Sequence, residues 1–168
     1  MVAKIIKAPE SLYDTQGGYS VFLSGSIEMG TAENWQVKME RALSRMNIII
    51  LNPRRDDWDD TWVQSITDQR FKEQVEWELE AMNRASVIAM YFHPDTKAPI
   101  TLLELGINTH TPGKLVVCCP DGFYRKGNVE IVCANYDITL VDNFEEFIAE
   151  TILRLQAIFR GETGVTRR

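Results

Sequence analysis

"YSVFLSGS", residues 19 to 26, is the stretch of sequence that decides the fold. Its apolar residues follow one another without alternating with polar ones, and the run ends in Gly25 and Ser26. A short continuous apolar run that is bounded by turn residues is typical of a strand buried on both faces. We therefore predict a buried strand here, with the loop "SGSIEMG" (24 to 30) at its carboxyl end.

The rest of the chain repeats this pattern, with helical spacing between the apolar runs. We predict further strands at 47–53, 86–92, 113–120 and 138–141, and helices at 31–46, 67–85, 100–110, 129–136 and 143–160. Alternating strands and helices predict an α/β fold, a doubly wound parallel sheet of about five strands with helices on both faces. Residues 1–18 form a lead-in with a short edge strand at Lys4 to Lys7, residues 19–160 the domain, and residues 161–168 a polar tail.

Composition and charge exclude several classes of protein. The 168 residues are 45% hydrophobic and 25% charged, which is ordinary for one soluble domain. The net charge of −6 argues against polymeric nucleic acid and anionic membranes as partners, because both require a basic face. No apolar run reaches the roughly 18 residues of a membrane span. Three cysteines, an odd number, and an N-terminal segment unlike a signal peptide predict a cytoplasmic protein without disulfides.

The loops at the carboxyl ends of the strands are where such sheets bind ligands. In the first loop, Ser24, Gly25 and Ser26 offer hydroxyl and backbone N–H groups to a phosphate or a sugar hydroxyl. The loop matches neither the dinucleotide nor the triphosphate fingerprint, and an ordinary strand-to-helix turn explains it equally well.

The loop "RRDDWDDTW" (54 to 62) follows the second predicted strand. Trp58 with Asp57 beside it suits a base, since an indole ring stacks and a carboxylate accepts exocyclic N–H groups. A salt-bridged surface loop with Trp62 packed inward is the alternative, and composition does not decide between them. The two histidines lack metal-ligand spacing with the cysteines, so we expect no metal site.

An acid interrupts an apolar run in "APITLLELGINTH", residues 98 to 110. Burying Glu104 there without partners would cost several kcal/mol. A carboxylate near a helix N-terminus gains only about 0.3–1 kcal/mol, which explains an exposed acid better than one among leucines. Glu78 is a second candidate acid, although its neighbours Glu76 and Glu80 indicate a solvated helix face.

The order of four segments resembles the nucleoside 2-deoxyribosyltransferase family and its nucleotide N-glycosidase relatives. These segments are "VFLSGSIEMG", "NPRRDDW", "VEWELEAMNRASVIAMYF" and "PITLLELG", and the resemblance spans roughly residues 20 to 141. It implies a flavodoxin-like fold and a nucleophile at Glu104, in the Glu-Leu-Gly motif. The family usually has Asp at the position of Glu78, which leaves a supporting role there open.

The resemblance also implies a layout for the site. Ser24, Gly25, Ser26 and Ile27 would line the sugar or its 5′ end, and Asp57 and Trp58 would lie on the base side. No metal or organic cofactor is implied. Members form homo-oligomers in which a neighbour completes the site, and the loop "DGFYRKGN" (121 to 128) would supply Arg125 and Asn128 across that interface.

The expected function is cleavage or transfer at the N-glycosidic bond of a nucleoside or deoxynucleoside through a covalent glycosyl-Glu intermediate. One alternative is an N-glycosidase that hydrolyses nucleoside 5′-monophosphates, which Arg54, Arg55 or Arg125 near the 5′ end would favour. The other is a nucleotide-binding module without turnover. Glu104 speaks against that module, because binding alone does not require a nucleophile.

Overall fold

The computed structural model describes residues 2–15, 18–26, 34–55, 59 and 61–162. Its strands are β1 (Lys4–Lys7), β2 (Ser20–Gly25), β3 (Ile49–Asn52), β4 (Val87–Tyr91), β5 (Leu115–Cys118) and β6 (Thr139–Val141). Its helices are α1 (Trp35–Leu43), α2 (Gln69–Arg84), α3 (Pro99–Asn108), α4 (Lys126–Asn135) and α5 (Phe144–Phe159).

All six strands form one parallel sheet in the order β1-β3-β2-β4-β5-β6. Strand β2 lies in its middle, and Phe22 pairs with Leu51 of β3 and Ile88 of β4. The flavodoxin-like, doubly wound arrangement expected from the apolar runs is confirmed. The sheet has one strand more than the five expected for the main domain, because β1 of the lead-in pairs with β3 at one edge.

Helices cover both faces of the sheet, which explains why the strands are apolar throughout. On one face Trp77, Ala81 and Met82 of α2 join Leu105 of α3 and Val129 of α4 in one core cluster. On the other face α1 and α5 pack with the strands in a second cluster. Every residue of β2, β4 and β5 except Gly25 is buried.

The segment 121–128 is the clearest departure from the predicted elements. We expected a loop as far as Asn128, but α4 begins at Lys126. The carbonyl of Arg125 accepts from the backbone N–H groups of Asn128 and Val129, so the first helical turn forms there. The ring of buried Phe123 packs against that of Phe92, the residue directly after β4. Only a short connection therefore separates this turn from the helix. The predicted start of the first helix at 31–33 lies outside the described residues.

The strand order places a crevice beside β2. The chain moves from β2 to β3 on one side and then to β4 on the other, so the following loops diverge at the carboxyl ends of these strands. Ligands of doubly wound sheets bind at such a switch point. In the described part of the chain, no helix combines the length and apolar character needed to cross a membrane.

Candidate active site

A cavity of about 540 Å³ opens at the carboxyl edge of β2 and β3, between α2 and α3. It is lined by Ser24, Gly25 and Ser26 at the end of β2 and by Pro53, Arg54 and Arg55 after β3. The helices contribute mainly apolar side chains, and the polar ones among them are Gln74, Glu78, Thr101 and Glu104. Two acids and a few polar groups thus converge in a pocket large enough for a nucleoside-sized ligand.

Glu104 is held in the wall of this cavity by a hydrogen bond. Its side chain is only 7% exposed, and the Ser24 hydroxyl donates to Oε2 at 2.6 Å. Burial raises the pKa of Glu104 to about 8, and the charge on Glu78 adds to the rise while the Ser24 hydrogen bond opposes it. The carboxyl group is therefore mostly protonated at neutral pH, although a ligand that brings positive charge would ionise it.

The position of Glu104 in its helix excludes the alternative of a simple terminal charge. Helix α3 begins at Pro99, so Glu104 is its sixth residue and lies beyond the first turn, where the helix dipole acts. Its sequence neighbours take different directions: Leu105 packs in the core, whereas Leu103 is 59% exposed at the cavity's open side. The apolar run is thus divided between core, solvent and cavity, and Glu104 lies on the cavity side.

The end of β2 requires glycine. Gly25 has a φ of +153°, and a Cβ there would lie 2.5 Å from the carbonyl oxygen of Tyr91 and 2.8 Å from the Trp35 ring. No larger residue fits without moving one of these groups. This close approach between β2 and β4 keeps Ser24 beside Glu104.

The hydroxyl of Ser26 contacts other groups of the protein, whereas we expected it to be available to a ligand. Its Oγ lies 2.7 Å from Oγ1 of Thr96 and accepts from the backbone N–H of His93 at 3.2 Å. The indole N–H of Trp35 donates to its carbonyl. Ser26 therefore ties the loop after β2 to the loop after β4, and binding of substrate by Ser26 stays a prediction.

Glu78 lies across the cavity on α2 and is held by Gln74. The Nε2 group of Gln74 donates to Oε1 of Glu78 at 2.8 Å and to the carbonyl of Pro53 at 2.9 Å. Burial raises the pKa of Glu78, and the hydrogen bond from Gln74 opposes that rise. The sequence interpretation missed Gln74, although its position four residues before Glu78 places both on one helix face.

A family model described as nucleoside 2-deoxyribosyltransferase like matches residues 18–123. The matched range runs from the start of β2 past α3 and β5, and it includes Ser24, Glu78 and Glu104. It covers more than half of the chain. This protein belongs to the nucleoside 2-deoxyribosyltransferase-like family. A search of curated proteins found no match.

Membership of the nucleoside 2-deoxyribosyltransferase-like family supports an enzyme of glycosyl transfer that acts on small nucleoside substrates. The match confirms the resemblance drawn from the four sequence segments. The family match is needed for this conclusion, because the fold alone carries many unrelated functions.

The structure describes only some of the other residues predicted for the site of this nucleoside 2-deoxyribosyltransferase-like protein. Ile27, Asp57 and Trp58 fall outside the described residues. Arg125 is exposed and lies over the Tyr124 ring, and Asn128 is exposed on α4. Neither Arg125 nor Asn128 lines the cavity of its own chain, so their contribution to a neighbour's site stays a prediction.

The described part of the segment after β3 shows only the surface-loop alternative, because Asp57 and Trp58, the residues of the base-binding alternative, lie outside the described residues. Trp62 is buried, with the guanidinium groups of Arg55 and Arg70 over its ring at 4.8 and 5.2 Å. This is the inward packing expected of a surface loop. Arg54 nevertheless lines the cavity, and its Nη1 is buried with no hydrogen-bond partner in the part of the chain that the structure describes. Among the described residues, no group of three His, Cys, Asp or Glu side chains could hold a metal ion.

Proposed function

We propose that this protein cleaves the N-glycosidic bond of a nucleoside or deoxynucleoside and transfers the sugar, with Glu104 as nucleophile. The observation that carries the proposal is the buried Glu104 carboxyl, which Ser24 fixes in the wall of a nucleoside-sized cavity. A buried acid is costly to the fold even with one hydrogen bond, and a role in chemistry accounts for that cost.

The reaction has two displacement steps at the C1′ atom of the sugar. A carboxylate oxygen of Glu104 forms a bond to C1′ while the bond from C1′ to the base nitrogen breaks. The bonding electrons leave with the base, which takes up a proton. A nitrogen of a second base, or a water oxygen, then attacks C1′ and gives up its proton to the solvent. The bond from C1′ to the Glu104 oxygen breaks, and its electrons return to the carboxylate.

Burial of Glu104 favours the transition state of the first step. The sugar develops positive charge as the base departs, and a poorly solvated carboxylate stabilises that charge more strongly than a hydrated one. The hydroxyl of Ser24 orients Oε2 and stabilises the ionised form. Glu104 must lose its proton before it attacks, and its raised pKa therefore makes turnover depend on pH near 8.

Glu78 is assigned a supporting role. It accepts a hydrogen bond from the sugar or the base. Burial raises its pKa, and the hydrogen bond from Gln74 opposes that rise. Glu is one methylene longer than the Asp usual in the family, and the hydrogen bond from Gln74 fixes the longer side chain. Gly25 and Ile27 border the sugar or its 5′ end in this proposal.

The proposal also assigns roles to Asp57, Trp58, Arg125 and Asn128. Asp57 and Trp58 contact the base from the loop after β3. Arg125 and Asn128 reach the site of a neighbouring subunit in a homo-oligomer.

Hydrolysis of nucleoside 5′-monophosphates is the second candidate. The buried Nη1 of Arg54 has no partner among the described residues, and a phosphate oxygen would supply one. The two candidates share Glu104 as nucleophile and differ in what occupies the Arg54 side of the cavity.

A substrate panel tests the proposal. The protein is incubated with nucleosides and with 5′-monophosphates, with and without a second base, and the products are separated by chromatography. A new nucleoside that forms only with the second base indicates transfer, and free sugar indicates hydrolysis. Glu104→Gln should remove both products. Glu76→Gln is the matched control, because Glu76 is exposed on α2 and does not line the cavity. Turnover that survives Glu104→Gln would refute the assignment.

A further inference from the structure

The side-chain amide of Gln74 has one atom, Oε1, that forms no hydrogen bond with the described residues. Both acceptors near its Nε2, the carbonyl of Pro53 and Oε1 of Glu78, require the two N–H groups to point at them. The Oε1 atom of Gln74 is buried without a partner among the described residues. Exchanging the amide oxygen and nitrogen would set an acceptor against the Pro53 carbonyl, so the orientation is determined by its neighbours.

This unpaired acceptor belongs to the cavity wall. Gln74 is only 3% exposed and lines the same cavity as Glu78 and Glu104. A buried acceptor without a donor destabilises the protein, and ligand sites commonly contain such atoms because the substrate completes the bond.

We infer that Gln74 is a specificity-determining residue whose Oε1 accepts a hydrogen bond from the substrate. This inference rests on the proposed function, because it takes a nucleoside as the occupant. The donor is an N–H of the base or an O–H of the sugar. A phosphate monoester at neutral pH presents acceptor oxygens, and the acceptors of Gln74 and Glu78 repel them. The α2 wall therefore selects an uncharged donor, and a 5′-phosphate fits only toward Arg54.

Gln74 also acts on Glu78, so a substitution has two effects that must be separated. Gln74→Met preserves length and removes both the acceptor and the hydrogen bond to Glu78. Loss of the bond to Glu78 weakens all nucleosides alike. Loss of the acceptor removes only the preference for substrates that carry the donor.

Calorimetric binding measures this preference without turnover. Glu104→Gln and Glu104→Gln with Gln74→Met are titrated with the 2′-deoxynucleosides of adenine, guanine, cytosine and thymine. The tightest binder is then compared with analogues that lack one donor. In these analogues a ring N–H of the base is methylated, an exocyclic amino group is replaced by hydrogen, or the 3′- or the 5′-hydroxyl is removed. Gln156→Met on α5 is the control for the Gln-to-Met change, because Gln156 is exposed on the other face of the sheet.

With Gln74 present, one analogue should bind about 10- to 100-fold more weakly than its parent. That difference should disappear in Gln74→Met and persist in Gln156→Met, and the analogue concerned identifies the base or the sugar as the donor. If every analogue binds like its parent, or if the difference survives Gln74→Met, the inference is overturned and the acceptor serves a water molecule. The analogue series with Gln74 intact decides the matter even if Gln74→Met does not fold. Binding of no nucleoside refutes the proposed function as well, whereas binding without discrimination refutes only the role of Gln74.

Discussion

Replacing Glu104 with Gln is expected to abolish turnover and at the same time to stabilise the fold. The pKa of this carboxyl is about 8 in the folded protein, against an ordinary value of 4.5. At pH 7 ionisation of Glu104 lowers the free energy of the unfolded chain, whereas the same carboxyl group stays mostly protonated in the folded chain. The difference amounts to about 3 kcal/mol against folding. Gln is neutral in both states, so the substitution removes this cost.

The gain from Glu104→Gln has a defined dependence on pH. Below about pH 4.5 the carboxyl is protonated in both states, so no cost exists to remove. Between pH 4.5 and 8 the unfolded state ionises first, and the native protein loses stability relative to the variant as the pH rises. Above about pH 8 both states are ionised and the difference stays constant. Gln retains an oxygen that can accept from Ser24, so the shape of the site is preserved.

Thermal unfolding and kinetics on the same samples check both expectations. For a chain of this size a gain of 2–3 kcal/mol raises the thermal midpoint by roughly 5–10 °C. Turnover should fall by several orders of magnitude while substrate still binds. The control Glu76→Gln should change stability by less than about 0.5 kcal/mol at every pH. A lowered midpoint for Glu104→Gln that does not vary with pH would refute the account of a buried acid, and unchanged turnover would refute its role as nucleophile.

Other substitutions probe the hydrogen bond, the second acid and the glycine. Ser24→Ala should reduce kcat at neutral pH about 10- to 100-fold and move the rise of kcat/KM to higher pH, because it removes the bond that lowers the pKa of Glu104. Glu78→Gln should move this rise to lower pH, since it removes a neighbouring negative charge; shifts in the same direction would contradict the assigned causes. In denaturant titrations, Gly25→Ala should cost more than about 2 kcal/mol. Gly106→Ala should gain about 0.5–1 kcal/mol, because the added Cβ would meet no described atom within 4 Å apart from its chain neighbours and its own helix backbone. Light scattering at micromolar concentration should show at least a dimer, and a fully active monomer would contradict a shared site.

The sheet could be predicted from the sequence because burial on both faces leaves an unbroken apolar signal. The runs around Phe22, Ile50 and Val116 each became a strand, and the order of motifs supplied the fold. The start of α4 could not be predicted in this way. Gly127 and Asn128 are weak helix formers, yet both lie in the first turn of α4, which begins at Lys126 shortly after the buried Phe123.

The sequence predicted a residue of the site only where its side chain differs in polarity from its sequence neighbours. Glu104 is conspicuous because an acid among leucines has no use in packing. Gln74 is not conspicuous, since a polar residue in a helix rich in charged residues predicts a solvated face. The engagement of Ser26 by His93 and Thr96 depends on two loops about 70 residues apart, a contact that no local pattern contains.

The cost of burying Glu104 and its proposed reactivity have the same physical origin. Removing water from the carboxyl group destabilises its ionised form in the empty site, which is why its pKa rises. Positive charge on the sugar at C1′ compensates for that lost hydration, so the ionised carboxyl is favoured as the bond to the base breaks. The hydrogen bond from Ser24 limits the cost to a level that the fold tolerates, and Gly25 permits the backbone approach that places Ser24 there. The fold is thus less stable at the place where the transition state requires a charge without a hydration shell. Glu104→Gln should therefore raise stability and remove activity together.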